Sequence, residues 1–398
     1  MIRSRAFAYI TGADFMVRSA YQMGKTPLLP LFAAALGAGD AFVGFIVSVS
    51  TLTGMVLKPF IGVLSDRWGR RLWLLAGTAF FAFMPFVYRF VNTPEQLFAV
   101  RMAHGMATAI YGPVTLAYVA EQSTEQRAER LAWFVSARNA GYIVGPAAAG
   151  WMLLTMDPVS VFTVVGIMSS LAFLPIALLP ETAPRQPDGH PPIVRYAIRS
   201  LVSGGRTPAV WLAGGMESTM FIALYATRTF LPIYALSAGF NVAVVGTFLA
   251  VQEGAHLFLN PLGGRIGDRA GFLVAVPMGM VVLASALILI PIAGNAGFLM
   301  GLAVMIGTSQ ALVFPSTVAL VSTRVDEDTL ATGMGLMGTL RNAGKVAGPA
   351  LAGVLIFWLD YDLTFRLIGL GLVVASAAIW YRGRLVQRSA RQRTTVPA

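Results

Sequence analysis

The first and second halves of this sequence repeat each other at a spacing of about 202 residues. Lys58-Pro59-Phe60-Ile61-Gly62, leading to Asp66-Arg67-Trp68-Gly69, returns as Asn260-Pro261-Leu262-Gly263-Gly264, leading to Asp268-Arg269-Ala270-Gly271. Arg138-Asn139-Ala140-Gly141, followed by Gly145-Pro146 and Gly150, returns as Arg341-Asn342-Ala343-Gly344, followed by Gly348-Pro349 and Gly353. Leu29-Pro30-Leu31-Phe32 pairs with Leu231-Pro232-Ile233-Tyr234, and Pro113 with Pro315. The matches fall on glycine, proline and charged positions, where a helix bundle has special needs of backbone or charge. A period this long is no solenoid unit. It predicts one six-helix module duplicated in parallel.

Composition sets the solvent. The chain is 56% hydrophobic and 12% charged, whereas soluble domains carry roughly 25% charged residues. Twelve apolar stretches stand out: 7–36, 41–64, 72–90, 96–120, 131–155, 159–180, 209–236, 241–264, 272–292, 296–321, 331–358 and 364–382. Such runs are long enough to cross a hydrocarbon layer of ~30 Å. Lipid offers no partner to an open strand edge, so each must be a helix. The expected fold is an all-α membrane protein, its 12 transmembrane helices set in two pseudo-symmetric six-helix bundles, 1–180 and 209–382. A proline- and arginine-rich cytoplasmic linker, 181–208, joins them, and a basic, flexible cytoplasmic tail, 383–398, follows.

The net charge of +11 points to a bilayer rather than to nucleic acid, because of where it sits. Arg3 and Arg5 precede the first span, and every second connection is arginine-rich, beginning with Arg67, Arg70 and Arg71. The alternate connections carry Asp40, Glu95, Asp157, Asp360 and Asp362, without Lys or Arg. This asymmetry predicts that both termini are cytoplasmic. No cysteine is present, which excludes disulfide and thiol chemistry. The first apolar run is too long, and too polar inside, for a cleaved signal peptide.

Three segments carry recognisable motifs. Gly62 through Arg71 joins spans 2 and 3, with glycines suited to close approach and a tight turn. Asp66 there is placed to accept from helix N-terminal amides or to pair with an arginine, a link that a conformational change would make and break. The segment, including Gly62, Asp66, Arg67, Gly69 and Arg70, resembles motif A of the major facilitator superfamily, with a weaker copy at Gly264, Asp268 and Arg269. Gly141-x-x-x-Gly145-Pro146-x-x-x-Gly150 in span 5 offers small residues four apart, a groove for a neighbouring helix, and a proline bend. It resembles motif C of the superfamily's proton-coupled antiporters, with Ala149-Gly150 where that pattern has Gly-Gly. Its copy in span 11 leaves plain bundle packing open as the explanation. Arg101-Met102-Ala103-His104-Gly105 resembles motif B, with His104 where the family often has Gln, and the resemblance implies a part for Arg101 in proton transfer. Snorkelling of Arg101 to the outer interface is the competing account.

Other ionisable residues inside spans are costly in lipid and mark a cavity lining. Span 1 places Asp14, Arg18, Tyr21, Gln22 and Lys25 on one face; span 7 does so with Glu217 and Arg228; span 8 with Glu253, His256 and Asn260, Gln252 lying beside them. Lys345 follows Asn342 at mid-depth in span 11, and its repeat counterpart is Tyr142. Glu253 is the candidate titrating group and His256 its relay or partner, with a buried Glu–His structural pair as the competing account. Gly333-x-Gly335-x-x-Gly338 imitates a dinucleotide fingerprint, yet it follows a charged loop and enters a span, so it reads as helix packing. His104, His190 and His256 are too scattered for a zinc site. No enzyme motif, metal site or cofactor site is expected.

The family resemblance implies a secondary active transporter of the 12-helix drug:proton antiporter group, working by alternating access. It would be a monomer in a bacterial-type inner membrane, expelling a small amphiphilic solute or drug against protons. Three other readings fit the residues: a transporter of organic anions, drawing on Arg18, Lys25, Arg101 and Lys345; a metal-ion transporter using Asp14, Glu253 and His256; and a non-transporting membrane scaffold or sensor.

Overall fold

The computed structural model describes residues 2–122, 127–181, 207–325 and 327–394. Twelve helical spans, and no strand, occur among them. They are α1 (Ile2–Lys25, continued as Leu28–Ala35), α2 (Asp40–Trp68), α3 (Arg70–Val87), α4 (Pro94–Glu121), α5 (Arg127–Met152) and α6 (Pro158–Leu171, continued as Phe173–Ala177). The second series is α7 (Pro208–Ser237), α8 (Val242–Ala270), α9 (Phe272–Leu289), α10 (Ala296–Arg324), α11 (Glu327–Trp358) and α12 (Tyr361–Thr394). Linker residues 182–206, His190 among them, lie outside the described residues. The tail differs from expectation: α12 continues as helix to Thr394.

The duplication is visible in the backbone. Gly69 and Gly271 divide α2 from α3 and α8 from α9 at φ +86° and +81°, a left-handed region that only glycine enters without steric cost. Gly37 and Gly239 sit at φ +87° ahead of α2 and α8. A 3-10 turn ends α3 at Tyr88–Phe90 and α9 at Ile290–Ile292. Thr93 caps α4 by accepting from the Gln96 amide, and Asn295 caps α10 by accepting from the Phe298 amide.

Eight of the twelve helices are long and apolar enough to cross a membrane on length and composition alone. The four that are not are α1, α4, α5 and α11. These carry mid-span charges: Asp14, Arg18 and Lys25; Arg101; Arg138; Arg341 and Lys345. A charge at the bilayer centre costs about 3 kcal/mol even on the mildest scale, so such helices must turn their charges inward. Asp14 and Arg101 are accordingly 1% exposed. α1 packs on α5, α2 on α4, α3 on α4 and α6, and α9 on α10 and α12.

The chain divides into two compact units. One comprises Met1–Val202, Leu224–Ala250 and Lys345–Trp358; the other comprises Ser203–Ala223, Val251–Gly344 and Leu359–Ala398. Stretches of α7, α8 and α11 thus pack with the first repeat. Within that first unit, Ser48 on α2 donates to the Val346 carbonyl on α11 at 2.7 Å. A Cβ on Gly150 of α5 would fall 2.8 Å from Gly246 Cα of α8, and one on Gly353 of α11 would fall 2.5 Å from the Asp40 carbonyl oxygen. Glycine is required there because backbone meets backbone.

The α2–α4 crossing is equally close. A Cβ on Gly105 would lie 2.7 Å from both the Ser50 carbonyl oxygen and Thr53 Cβ. Gly105→Val is expected to lower stability by about 1–3 kcal/mol through overpacking. Gly12→Ala, whose Cβ would meet nothing within 4 Å, should leave it unchanged. Thermal unfolding of both variants in detergent tests this; equal midpoints would show that the crossing yields.

Candidate substrate and coupling site

Each repeat buries one carboxylate against one arginine and one threonine. In the first, Arg138 on α5 donates from Nε and an Nη to the two oxygens of Asp14 on α1, each at 2.9 Å, and to Thr115 Oγ1 on α4 at 2.8 Å. In the second, Arg341 on α11 donates to the two oxygens of Glu217 on α7 at 2.6 and 3.1 Å, and Thr317 on α10 donates to Glu217 at 2.7 Å. The six residues occupy matching places in the repeat. Bidentate guanidinium–carboxylate pairing is the strongest way to satisfy a charge away from water. Arg18 stands at 3.7 Å from Asp14 as its secondary partner. Glu217 and Arg228 share a face of α7, yet the structure pairs Glu217 with Arg341 and sets Arg228 beside Tyr225.

Arg101 does not snorkel. It is 1% exposed, donating to Ser50 on α2 and, at 3.2 Å, to the Tyr88 hydroxyl. Tyr88 also shares a hydrogen bond of 3.1 Å with His104 Nδ1. Tyr21, Phe81 and Tyr88 pack their rings around His104. Together with Ser169 these residues line a small cavity inside the first unit.

Further along, three cations converge on one ring. Lys25 Nζ lies 4.9 Å from the Tyr225 ring centroid, Arg228 Cζ 5.6 Å and Lys345 Nζ 5.7 Å. All four residues are partly exposed. Lys25 also lies 5.8 Å from the Tyr21 ring.

In the second unit, Glu253 sits 3.8 Å from His256 Nδ1, one turn on. Gln252 donates to Gln310 on α10 at 3.0 Å and to Glu253 at 3.4 Å. The His256 ring meets Phe314 edge-on, and Phe314 stacks on Phe221 at 4.9 Å between centroids. Arg341 lies over Phe221 at 5.7 Å. A continuous run of contacts therefore links the Glu217 ion pair, through two phenylalanines, to the Glu253–His256 pair. Its chemistry suits a solute with an aromatic or apolar body. Asn342 is partly exposed on α11 nearby in sequence.

The turn between α2 and α3 holds a charge latch. Arg70, 7% exposed, pairs with Asp66, with Glu121 at the end of α4 at 2.9 Å, and donates to Ser65 Oγ at 2.6 Å. Glu181 accepts the Arg71 amide at 3.1 Å, and Arg71 donates to the Ala177 carbonyl at 2.6 Å. Arg67 is exposed, and so are Asp268 and Arg269 in the copy, where Phe272 replaces Arg70.

Several expectations need correction. A Cβ on Gly62 would meet nothing within 4 Å among the described residues. In the copy, the tight contact falls on Gly263, against the Ala311 carbonyl, and Gly264 is 3.7 Å from Pro315. Gly141 and Gly145 do face α1, at Ser19, Gln22 and Met23, while Gly344 faces Ser218 of α7. The motif around Pro146 is thus a packing groove in both repeats. A Cβ on Gly335 or Gly338 would meet nothing within 4 Å among the described residues, while one on Gly333 would lie 3.2 Å from Val210. No group of three potential metal ligands occurs among the described residues, and Asp14 is paired with Arg138. Sequence reasoning misses Arg138, Arg341, Thr115, Thr317, Tyr225, Glu121 and Glu181 as site residues. The repeated Arg-Asn-Ala-Gly, lying inside a span in both halves, is the signal that could have found the two arginines.

Asp14→Asn strands a largely buried guanidinium and is expected to cost about 3–5 kcal/mol. Asp14→Asn combined with Arg138→Gln should recover much of that. Glu217→Gln should cost less, because Arg341 is 32% exposed and can reach water, against 13% for Arg138. Unfolding midpoints of the four proteins decide it; an unrecovered double variant would mean the pair is not the cause.

Comparison with known proteins agrees with this architecture. The family model described as Major Facilitator Superfamily matches residues 15–252 and again 216–397. Multidrug resistance protein 1 of Bacillus subtilis is 22% identical over 366 residues, covering 89% of this chain and 91% of that protein. A staphylopine export protein of Staphylococcus aureus is 24% identical over 360 residues, covering 87% and 88%. The solved structure of a variant of the nucleoside transporter NupG superposes with a TM-score of 0.79 at 14% identity, over 94% of this chain and all of that one. With a match spanning both repeats, the chain belongs to the Major Facilitator Superfamily, the multi-pass secondary transporters of membranes.

Proposed function

We propose that the protein expels a small amphiphilic organic solute in exchange for protons. Two six-helix bundles, 1–180 and 209–382, would alternate access to a central site. The protein would act as a monomer in a bacterial-type inner membrane, with both termini cytoplasmic. Relatives named for multidrug resistance and for staphylopine export support the direction. The observation that carries proton coupling is Glu253, a mid-span carboxylate only partly exposed, with an imidazole at 3.8 Å and the Gln252 amide beside it. A carboxylate in such a place gains and loses a proton as its surroundings change from wet to dry. Phe221 and Phe314 offer the solute an apolar wall next to it. Nothing in this cycle requires covalent chemistry.

Glu253→Gln should abolish gradient-driven efflux from proteoliposomes while solute exchange persists. Efflux against a gradient at the normal rate would move the proton role to another residue.

Asp66 serves the conformational cycle, pairing with Arg70 at the turn between α2 and α3. Asp66→Asn should slow turnover several-fold with solute affinity preserved. Loss of affinity with turnover intact would count against that role.

A further inference from the structure

We propose that the cavity beside His104 is a binding site for one buried water molecule, which bridges His104 Nε2 on α4 and Ser169 Oγ on α6. The proposal is independent of the export reading, because it concerns the interior of the first unit alone.

Its starting point is a set of polar atoms that protein groups do not satisfy. His104 Nε2, Ser169 Oγ and Arg101 Nε are all buried and have no hydrogen-bond partner. His104 is 5% exposed, and Ser169 and Arg101 are 1% exposed each. Buried polar side chains are nearly always satisfied, either by the protein or by ordered water. All three residues line the same cavity. Its remaining wall is largely aromatic and aliphatic, Phe81, Pro85, Phe162 and Val165 among it, and offers them no other partner.

The hydrogen bonds around Tyr88 determine which chemistry is wanted. A guanidinium only donates, so the Tyr88 hydroxyl oxygen accepts from Arg101 at 3.2 Å. The single proton of that hydroxyl then goes to His104 Nδ1, 3.1 Å away. Nδ1 is therefore an acceptor, and the hydrogen of the neutral ring sits on Nε2. Nε2–H and the Arg101 Nε–H are both donors, so the ligand must accept. The Ser169 hydroxyl can serve it either way.

Size decides among acceptors. The cavity measures about 10 Å³, close to the least space that holds a single water. Chloride is a larger sphere, and no organic solute fits. A cation is excluded by the two donors and by the buried charge of Arg101. Water in this place would also extend an existing network. Ser50 on α2, Arg101 and His104 on α4, and Tyr88 at the end of α3 are already joined. The bridge to Ser169 brings α6 into the same chain of hydrogen bonds.

A structure of the full chain in lipid nanodiscs, at a resolution that shows ordered water, tests the proposal. One peak should lie within about 2.7–3.2 Å of both His104 Nε2 and Ser169 Oγ. Ser169→Val, which replaces the hydroxyl by methyl groups, should remove it. Nitrogen-15 spectra of the histidine-labelled protein in detergent supply a second readout, with His104→Phe identifying the resonance. They should show His104 neutral and protonated at Nε2. The wild-type map and spectrum decide by themselves if Ser169→Val does not fold. A cavity without a peak, or a peak that survives Ser169→Val, would overturn the proposal. So would a peak with anomalous scattering from bromide when that salt replaces chloride, or a His104 ring protonated at Nδ1.

Discussion

Hydrocarbon offers no partner to a charge, and the arrangement of this molecule follows from that constraint. The Asp14–Arg138–Thr115 and Glu217–Arg341–Thr317 clusters each join three helices through one satisfied ion pair. Breaking such a pair leaves a charge where none can be tolerated, so each cluster fixes the rotation of its helices about their axes. α1, α4, α5 and α11, too polar to stand in lipid alone, all take part in these clusters, and α7 and α10 complete the second one. The six other helices then pack as their small residues allow.

The division of labour between backbone and charge is visible in the repeat. Positions set by backbone need are kept: Gly69 and Gly271, Gly150 and Gly353, Thr93 and Asn295. Other positions diverge: Tyr142 becomes Lys345, and His104 has no histidine counterpart. Comparing the halves therefore separates positions fixed by backbone need from positions free to change, using one sequence alone.

The fold was legible because its signals are coarse. Apolar length, alternating arginine-rich connections and repeated Gly-Pro punctuation survive without any knowledge of contacts. Site membership was partly legible: Asp14, Lys25, Arg101, Glu253 and His256 declared themselves by being charged inside spans. Partnerships were not. Arg18, four residues from Asp14, stands at 3.7 Å from it, and the bidentate partner, Arg138, lies on another helix 124 residues away. Helical periodicity tells which residues share a face, and it carries no information about which face of which neighbour they meet. Tyr225 escaped notice for a related reason, since a tyrosine in a span raises no alarm until three cations surround it. In the same motif the turn falls on Gly69, while a Cβ on Gly62 would meet nothing within 4 Å among the described residues.

The latch at Arg70 has no twin. Asp66, Glu121 and Ser65 gather around that guanidinium in the first repeat, and the second puts the phenyl ring of Phe272 in its place. A molecule built from two copies of one module is thereby electrically lopsided at its turns. Dissolved salt reaches a water-facing carboxylate such as Asp66 and weakens its hold, while an aromatic ring at the matching turn is indifferent to electrolyte. Ionic strength at these turns would therefore act on the Arg70 latch in one module and find no such latch in its copy.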